Sequence, residues 1–145
     1  MERLLSGKIC LVTGAGRGIG RVIANQLAAD GGVVYCADLA MGDMEEWAAE
    51  KSKENETRIV PMVMDVTDSA ALKNGLMTIH KTEGRIDVVV NNAAIIQNQK
   101  LGMVTKPLLE KMYSVNVIRN QVYYLVNGIS YPCVLKRFWV ILKTV

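Results

Sequence analysis

One stretch of this 145-residue chain decides its fold: Thr13-Gly14-Ala15-Gly16-Arg17-Gly18-Ile19-Gly20. It follows the apolar run 8–13 and opens a segment, 18–30, that has apolar residues at helical spacing. Glycines between a strand and a helix let the backbone turn tightly and approach a bound pyrophosphate closely. The start of the helix adds free N–H groups and a partial positive charge, which suit an anion. The stretch therefore predicts a strand–loop–helix unit that binds the pyrophosphate of a dinucleotide.

Strand-like and helix-like segments alternate along the rest of the chain. Apolar runs predict strands at 8–13, 33–37, 58–66, 86–90 and 138–145. Helical patterns occupy 18–30, 43–54, 68–83 and 107–126. Strands that are apolar throughout belong in a parallel sheet covered on both faces, and Pro61 places the third strand at or near an edge. The sequence thus predicts a doubly wound parallel α/β sheet, a Rossmann fold, with strand order 3-2-1-4-5.

The first predicted helix carries apolar residues that we expect on its inward face. These are Ile19, Val22, Ile23, Ala24, Leu27 and Ala28. Asp68 is suited to cap the third predicted helix, and Gly84 to end it. These local signals set the expected boundaries of the helices.

The bulk composition excludes several classes of protein. A net charge of +3 is too small to indicate nucleic acid, and no stretch of about 20 apolar residues indicates a membrane span. Cys10, Cys36 and Cys133 fit no metal-ligand spacing and predict small buried residues in a reducing compartment. We therefore expect a cytoplasmic protein without a metal site, a nucleic-acid partner or a membrane partner.

Two residues bear on the choice of dinucleotide. Asp38 ends the second predicted strand, where a carboxylate accepts hydrogen bonds from a ribose 2′-hydroxyl and repels a 2′-phosphate. This favours NAD. Arg17 in the glycine loop favours NADP instead, because a basic residue there attracts a 2′-phosphate. The sequence favours NAD and leaves NADP as the alternative.

One glycine and three polar residues end four of the predicted strands. Gly14, Asp38, Asp65 and Asn91 each lie at or just beyond the carboxyl end of a strand. Ligands of open α/β sheets bind outside these ends. We therefore expect these four residues to share one rim of the sheet.

These motifs resemble the short-chain dehydrogenase/reductase family. The family's Thr-Gly-x-x-x-Gly-x-Gly loop matches Thr13 to Gly20, and its Asp-Val matches Asp65-Val66. Its Asn-Asn-Ala-Gly matches 91–94, with Ala94 in place of the last glycine, and its mid-helix Asn matches Asn116. The resemblance covers about residues 5–126 and is nearest to the 3-oxoacyl-[acyl-carrier-protein] reductases. It implies a single dinucleotide-binding domain over 1–145, incomplete at its C-terminus, with an atypical tail at 127–145.

The resemblance also implies roles for individual residues. Residues of the glycine loop would surround the pyrophosphate and nicotinamide ribose, namely Gly14, Arg17, Gly18, Ile19 and Gly20. Asp38 would hold the adenosine ribose, Asp65 and Val66 would contact the adenine, and Asn91 and Ala93 would lie along the cofactor. Asn92 would support the central sheet, and Asn116 would hold a water in the catalytic proton relay. The implied substrate is a small carbonyl or alcohol, and a homo-oligomer is one implied assembly.

One departure from the family concerns its catalytic Ser and Tyr-x-x-x-Lys. The family's spacing from Asn116 places the Ser near 143 and the Tyr near 156, and the sequence ends at Val145. No Tyr in the chain is followed four residues later by Lys. Three functions stay open. The chain is part of an NAD(P)-dependent oxidoreductase, a catalytically inactive dinucleotide-binding fragment, or an interaction protein that pairs through the apolar strand 138–145.

Overall fold

The computed structural model describes residues 3–95 and 103–116, which form four strands and four helices. In chain order they are β1 (Ile9–Thr13), α1 (Gly18–Ala29), β2 (Val33–Asp38), α2 (Met44–Asn55), β3 (Ile59–Val63), α3 (Ser69–Glu83), β4 (Val88–Val90) and α4 (Lys106–Asn116). The predicted fifth strand and the part of the predicted fourth helix beyond Asn116 lie outside the described residues.

The four strands form one parallel sheet of order β3-β2-β1-β4. This confirms the doubly wound α/β class and the predicted order of these strands. Pro61 lies in β3 at the edge of the sheet, as its missing N–H predicts. The strand β1 is first in sequence but central in space, because β2 and β4 flank it.

Successive residues of β1 point to opposite faces of the sheet and enter two separate cores. Leu11 packs with Leu72, Leu76 and Ile79 of α3 on one face. On the other face, Val12 packs with a cluster formed by α1 and α2, which includes Ala24, Ala28 and Ala48. Both faces are therefore covered, which explains why the strands are apolar throughout.

The ends of two strands differ from the predictions. We expected β3 to reach Val66, but it ends at Val63, which pairs with Asp38 at the end of β2. Beyond this point β2 offers no further residue for pairing. The strand β4 begins at Val88, two residues later than expected, because the Asp87 side chain accepts the Ile9 N–H (2.8 Å).

The prediction for the inward face of α1 is partly wrong. Ile19 and Val22 are 50% and 70% exposed, whereas Ala24 and Ala28 are fully buried. Small residues spaced four apart let α1 lie close to the sheet, and the larger residues are left outside that contact line. The capping predictions for α3 are confirmed, because Asp68 accepts two N–H bonds at its start and Gly84 adopts a left-handed conformation at its end.

Cys10 and Cys36 are buried free thiols, as the sequence predicted, and Cys133 lies outside the described residues. Burial raises the pKa of each thiol from 9.0 to about 12, and burial with a hydrogen bond to Glu83 raises the pKa of Tyr35 from 10.0 to about 12. The folded chain therefore holds protons that the unfolded chain releases between about pH 9 and 12. The contribution of these groups to the free energy of unfolding is therefore retained below pH 9 and is lost as the pH rises toward 12.

We expect the urea midpoint of unfolding to be lower at pH 10 than at pH 8. A Cys10→Ala/Cys36→Ala variant removes both buried thiols and should show a weaker decline over the same interval. Urea titrations followed by circular dichroism measure this. An equal decline in the variant and the parent would contradict the assignment to the thiols.

Candidate functional site

The carboxyl ends of the strands surround one cavity of about 420 Å³. It lies between the start of α1 and the segments that follow β2, β3 and β4. All of the cofactor-contact residues predicted from the sequence except Asn91 line it: Gly14, Arg17, Gly18, Ile19, Gly20, Asp38, Asp65, Val66 and Ala93. The structure thus gathers residues from four strand ends at one rim.

Gly14 begins the loop in a conformation that favours glycine. Its φ is +66°, and a Cβ at this position would lie only 2.8 Å from the Cα of Ala93. The loop after β1 and the loop after β4 therefore approach each other more closely than a side chain allows. Both Gly14 and Ala93 line the cavity.

The first turn of α1 is open to an anion. Arg17 occupies the N-cap position with an extended backbone, makes no capping bond, and is followed by no acidic residue in the first turn. By contrast, Asp68 caps α3 through the N–H groups of Ala70 (2.8 Å) and Ala71 (3.2 Å). The first-turn N–H groups of α1 are thus not occupied by a capping side chain and border the cavity.

The carboxylate of Asp38 is held in place at the cavity wall. Its Oδ2 accepts the Gly16 N–H at 2.7 Å, and its Oδ1 accepts the Leu39 N–H at 2.7 Å. A carboxylate oxygen has two acceptor sites, so each oxygen keeps capacity for a further donor. The position predicted to recognise a ribose is therefore preorganised.

Thr13 and Asn92 join the ends of β1 and β4. The Asn92 side-chain amide donates to the carbonyl oxygens of Thr13 and Gly14, both at 3.1 Å. The fully buried Thr13 hydroxyl accepts the N–H groups of Asn92 (3.1 Å) and Ala93 (3.2 Å). These bonds hold the glycine loop against the segment after β4, and Asn92 also lines the cavity.

Asp65 and Asn91 occupy different environments. Asp65 Oδ1 accepts the backbone N–H (2.8 Å) and hydroxyl (2.6 Å) of Thr67, which shapes the turn after β3 beside the cavity. Asn91 is only 1% exposed and does not line the cavity. Within residues 3–95 and 103–116 its Oδ1 has no hydrogen-bond partner. The Asn91 side chain therefore lies in the protein interior and not at the cavity.

Asn116 ends α4 and binds the segment after β4. Its Oδ1 accepts the Ile95 N–H (2.9 Å), and its Nδ2 donates to the Ile95 carbonyl oxygen (3.0 Å). This two-point contact fixes α4 against a residue of the cavity wall. The structure thus places the predicted catalytic residue next to the cavity through Ile95.

Sequence reasoning missed a group beside the glycine loop. Arg21 on α1 bonds the Gly16 carbonyl oxygen, pairs with Asp43 before α2, and lies over the ring of Trp47. Asp43 follows Arg21 by 22 residues, and no local spacing rule connects two such positions. The contact depends on the packing of α1 beside α2.

Two features are absent from the described part of the chain. None of its helices has the length and apolar character needed to cross a membrane. Within the same ranges, no group of three or more His, Cys, Asp or Glu side chains is arranged to hold a metal ion.

The fold and the site define a Rossmann domain of the doubly wound α/β class. The model of the short chain dehydrogenase family matches residues 8–121, and the chain belongs to that family. This confirms the resemblance inferred from the motifs.

Individual relatives agree with the family assignment. The chain is 42% identical over 113 residues to the L-2,3-butanediol dehydrogenase of Corynebacterium glutamicum, covering 76% of this chain and 43% of that protein. It is 31% identical over 113 residues to the 3-oxoacyl-[acyl-carrier-protein] reductase of Thermotoga maritima, covering 78% and 46%. The X-ray structure of an alcohol dehydrogenase from Thermococcus sibiricus, complexed with 5-hydroxy-NADP, superposes with a TM-score of 0.78 at 25% identity, covering 83% and 52%. The chain therefore spans about half the length of these relatives.

Proposed function

We propose that residues 1–145 form the dinucleotide-binding domain of an NAD(P)-dependent short-chain oxidoreductase, a family-like domain to about residue 126. The reaction class is the interconversion of a ketone and an alcohol by hydride transfer. One observation carries the proposal: an uncapped helix start and a fixed carboxylate face the same cavity. Two relatives, one named a butanediol dehydrogenase and the other an alcohol dehydrogenase, support this reaction class.

The residues present fit a nicotinamide dinucleotide. The first turn of α1 has no capping side chain and lines the cavity, so a pyrophosphate can approach its N–H groups. Here Gly14, Arg17, Gly18, Ile19 and Gly20 would surround the pyrophosphate. When bound, the cofactor supplies the hydride acceptor or donor.

The remaining contacts follow the strand ends. Asp38 would accept the hydroxyls of the adenosine ribose, and Asp65 and Val66 would contact the adenine. Ala93 would lie along the cofactor. By its resemblance to the family, Asn116 would hold a water in the proton relay, and its amide is fixed to Ile95 at the cavity wall.

We favour NAD over NADP as the cofactor. The Asp38 carboxylate is fixed at the cavity wall, and the next residue, Leu39, is apolar and 66% exposed there. A 2′-phosphate would meet a negative charge and an apolar side chain, whereas a 2′-hydroxyl would meet an acceptor. Arg17 is the cation that supports NADP as the alternative.

For the 145 residues by themselves we infer cofactor binding without turnover. No Tyr in them is followed four residues later by Lys, the pair with which the resemblance associates proton transfer. The substrate would be a small carbonyl or alcohol.

Calorimetric titration with NADH, and with NADPH in parallel, tests the proposal. We expect saturable binding of NADH, and Asp38→Ala should weaken it about tenfold, because hydrogen bonds to a charged group are lost. Asp30→Ala is the matched control, since Asp30 lies at the far end of α1 and should leave the affinity unchanged. Absence of saturable binding by the folded chain, or equal affinities of Asp38→Ala and the parent, would overturn the proposal.

A further inference from the structure

The peptide of Gly16 is held from both of its polar groups. Its N–H donates to Asp38 Oδ2 at 2.7 Å, and its carbonyl oxygen accepts a hydrogen bond from Arg21 Nη2. Gly16 lies in the middle of the glycine loop, and Asp38 is the residue proposed to recognise the ribose. Any change in the position of this peptide therefore moves the N–H that orients the carboxylate.

Arg21 is itself fixed by two neighbours. Its guanidinium makes a two-point contact with Asp43, with Nη1–Oδ2 at 2.9 Å and Nη2–Oδ1 at 2.5 Å. It also lies 5.0 Å from the ring centroid of Trp47, in the range of a cation–π contact. The hydrogen bond from Arg21 lowers the pKa of the Asp43 carboxyl, so the pair is ionised at neutral pH. The planar fork of arginine suits this arrangement, and a lysine ammonium does not reproduce it.

Asp43 bonds Arg21 instead of its own helix. It occupies the N-cap position of α2 but accepts no capping bond, although aspartate is among the best capping residues. Asp68 at the same position of α3 caps two N–H groups. The carboxylate of Asp43 thus neutralises the guanidinium of Arg21, which bonds the glycine loop at the Gly16 carbonyl oxygen.

We propose that Arg21 is a positioning residue for the cofactor loop and that its pairing with Asp43 sets the preference between NADH and NADPH. This inference rests on the dinucleotide binding proposed above. Arg21 holds the Gly16 peptide, and Gly16 holds the Asp38 carboxylate toward the ribose. With its charge neutralised by Asp43, Arg21 offers no free cation beside the ribose position. Without Asp43, the same guanidinium would attract a 2′-phosphate.

Amide hydrogen exchange tests the positioning role in the full chain without a cofactor. We expect Arg21→Met to accelerate exchange of the Gly16 N–H by about tenfold, relative to the Leu11 N–H in the central strand, which reports global opening. Arg58→Met removes another arginine–carboxylate pair, with Glu83, away from the cavity and should leave the Gly16 rate unchanged. An unchanged Gly16 rate in Arg21→Met would overturn the positioning role.

Titration with NADH and NADPH tests the specificity role. Arg21→Met should weaken NADH binding about tenfold, and Arg21→Lys should recover part of the loss. Asp43→Asn keeps Arg21 but removes its neutralising charge, so the ratio of the NADPH and NADH dissociation constants should shift toward NADPH by about threefold or more. A purely structural ion pair between α1 and α2 would weaken both cofactors equally, and an unchanged ratio would overturn the specificity role.

The two measurements separate this inference from the proposed function. If the parent chain binds neither cofactor, the proposed function and the specificity role are both overturned. The exchange rate of Gly16 then still decides whether Arg21 holds the loop.

Discussion

Gly20→Ala is expected to lower the free energy of unfolding by about 3 kcal/mol and to abolish dinucleotide binding. A Cβ at Gly20 would lie 2.1 Å from the Gly14 carbonyl oxygen and 2.5 Å from the Asn92 side-chain nitrogen. Alanine favours a helix over glycine by about 1 kcal/mol, but this gain is smaller than the cost of displacing backbone. Because the displaced atoms belong to the glycine loop, binding should be lost together with stability.

Gly75→Ala is the matched control for this prediction. Gly75 also lies inside a helix and is buried, but a Cβ there would meet the flexible side chains of Met64 (3.1 Å) and Met62 (3.3 Å). These thioethers can move, so we expect a change between zero and a gain of about 1 kcal/mol. Chemical denaturation of both variants measures the difference. Equal stabilities of the two variants would show that the clash at Gly20 is relieved in some other way.

Thr13→Val is expected to destabilise the chain by about 2 kcal/mol while preserving the shape of the side chain. The partly buried Ala93 N–H would lose its acceptor, the Thr13 hydroxyl at 3.2 Å. The Asn92 N–H would keep only its bond to the Val90 carbonyl oxygen, at 3.1 Å. Since these bonds align the segment after β4 with the glycine loop, NADH affinity should fall as well.

Thr78→Val provides the comparison for Thr13→Val. Thr78 is exposed on α3, and its hydroxyl bonds the Asn74 carbonyl oxygen within the same helix. Valine and threonine have similar helix propensities, so the change should stay within about 0.5 kcal/mol. Thermal and urea unfolding of both variants measure the two effects. A Thr13→Val protein as stable as the Thr78→Val protein would remove the argument for a structural role of the buried hydroxyl.

Local signals were sufficient for much of the fold. Continuous apolar runs, glycines at their ends and the Asp68 cap predicted the elements, and the Rossmann class that these elements indicate predicted the order β3-β2-β1-β4. Pro61 located the edge strand because proline lacks the N–H of a sheet ladder. The rim residues could be predicted from one rule, that parallel strands end at the same edge of their sheet.

Tertiary contacts explain what the sequence could not predict. The end of β3 depends on where its neighbour β2 stops, and the exposure of Val22 depends on how closely α1 approaches the sheet. The pairing of Arg21 with Asp43 joins two helices through side chains 22 residues apart. Asn91 and Asn92 are adjacent and chemically identical, but Asn91 is buried and only Asn92 lines the cavity, and this difference depends on the path of the backbone after β4.

The central place of β1 has a consequence for the order in which the chain is assembled. The strand β2, with which β1 pairs on one side, follows it closely in sequence. The strand on its other side, β4, begins at Val88, about 50 residues after β2 ends at Asp38. At a synthesis rate of about 5–20 residues per second, one edge of β1 stays unpaired for roughly 3–10 s. During that interval a fully apolar edge strand is exposed to association with other chains. The glycine loop acquires its final geometry only when Asn92 arrives, so ligand-binding competence cannot precede the synthesis of the segment after β4.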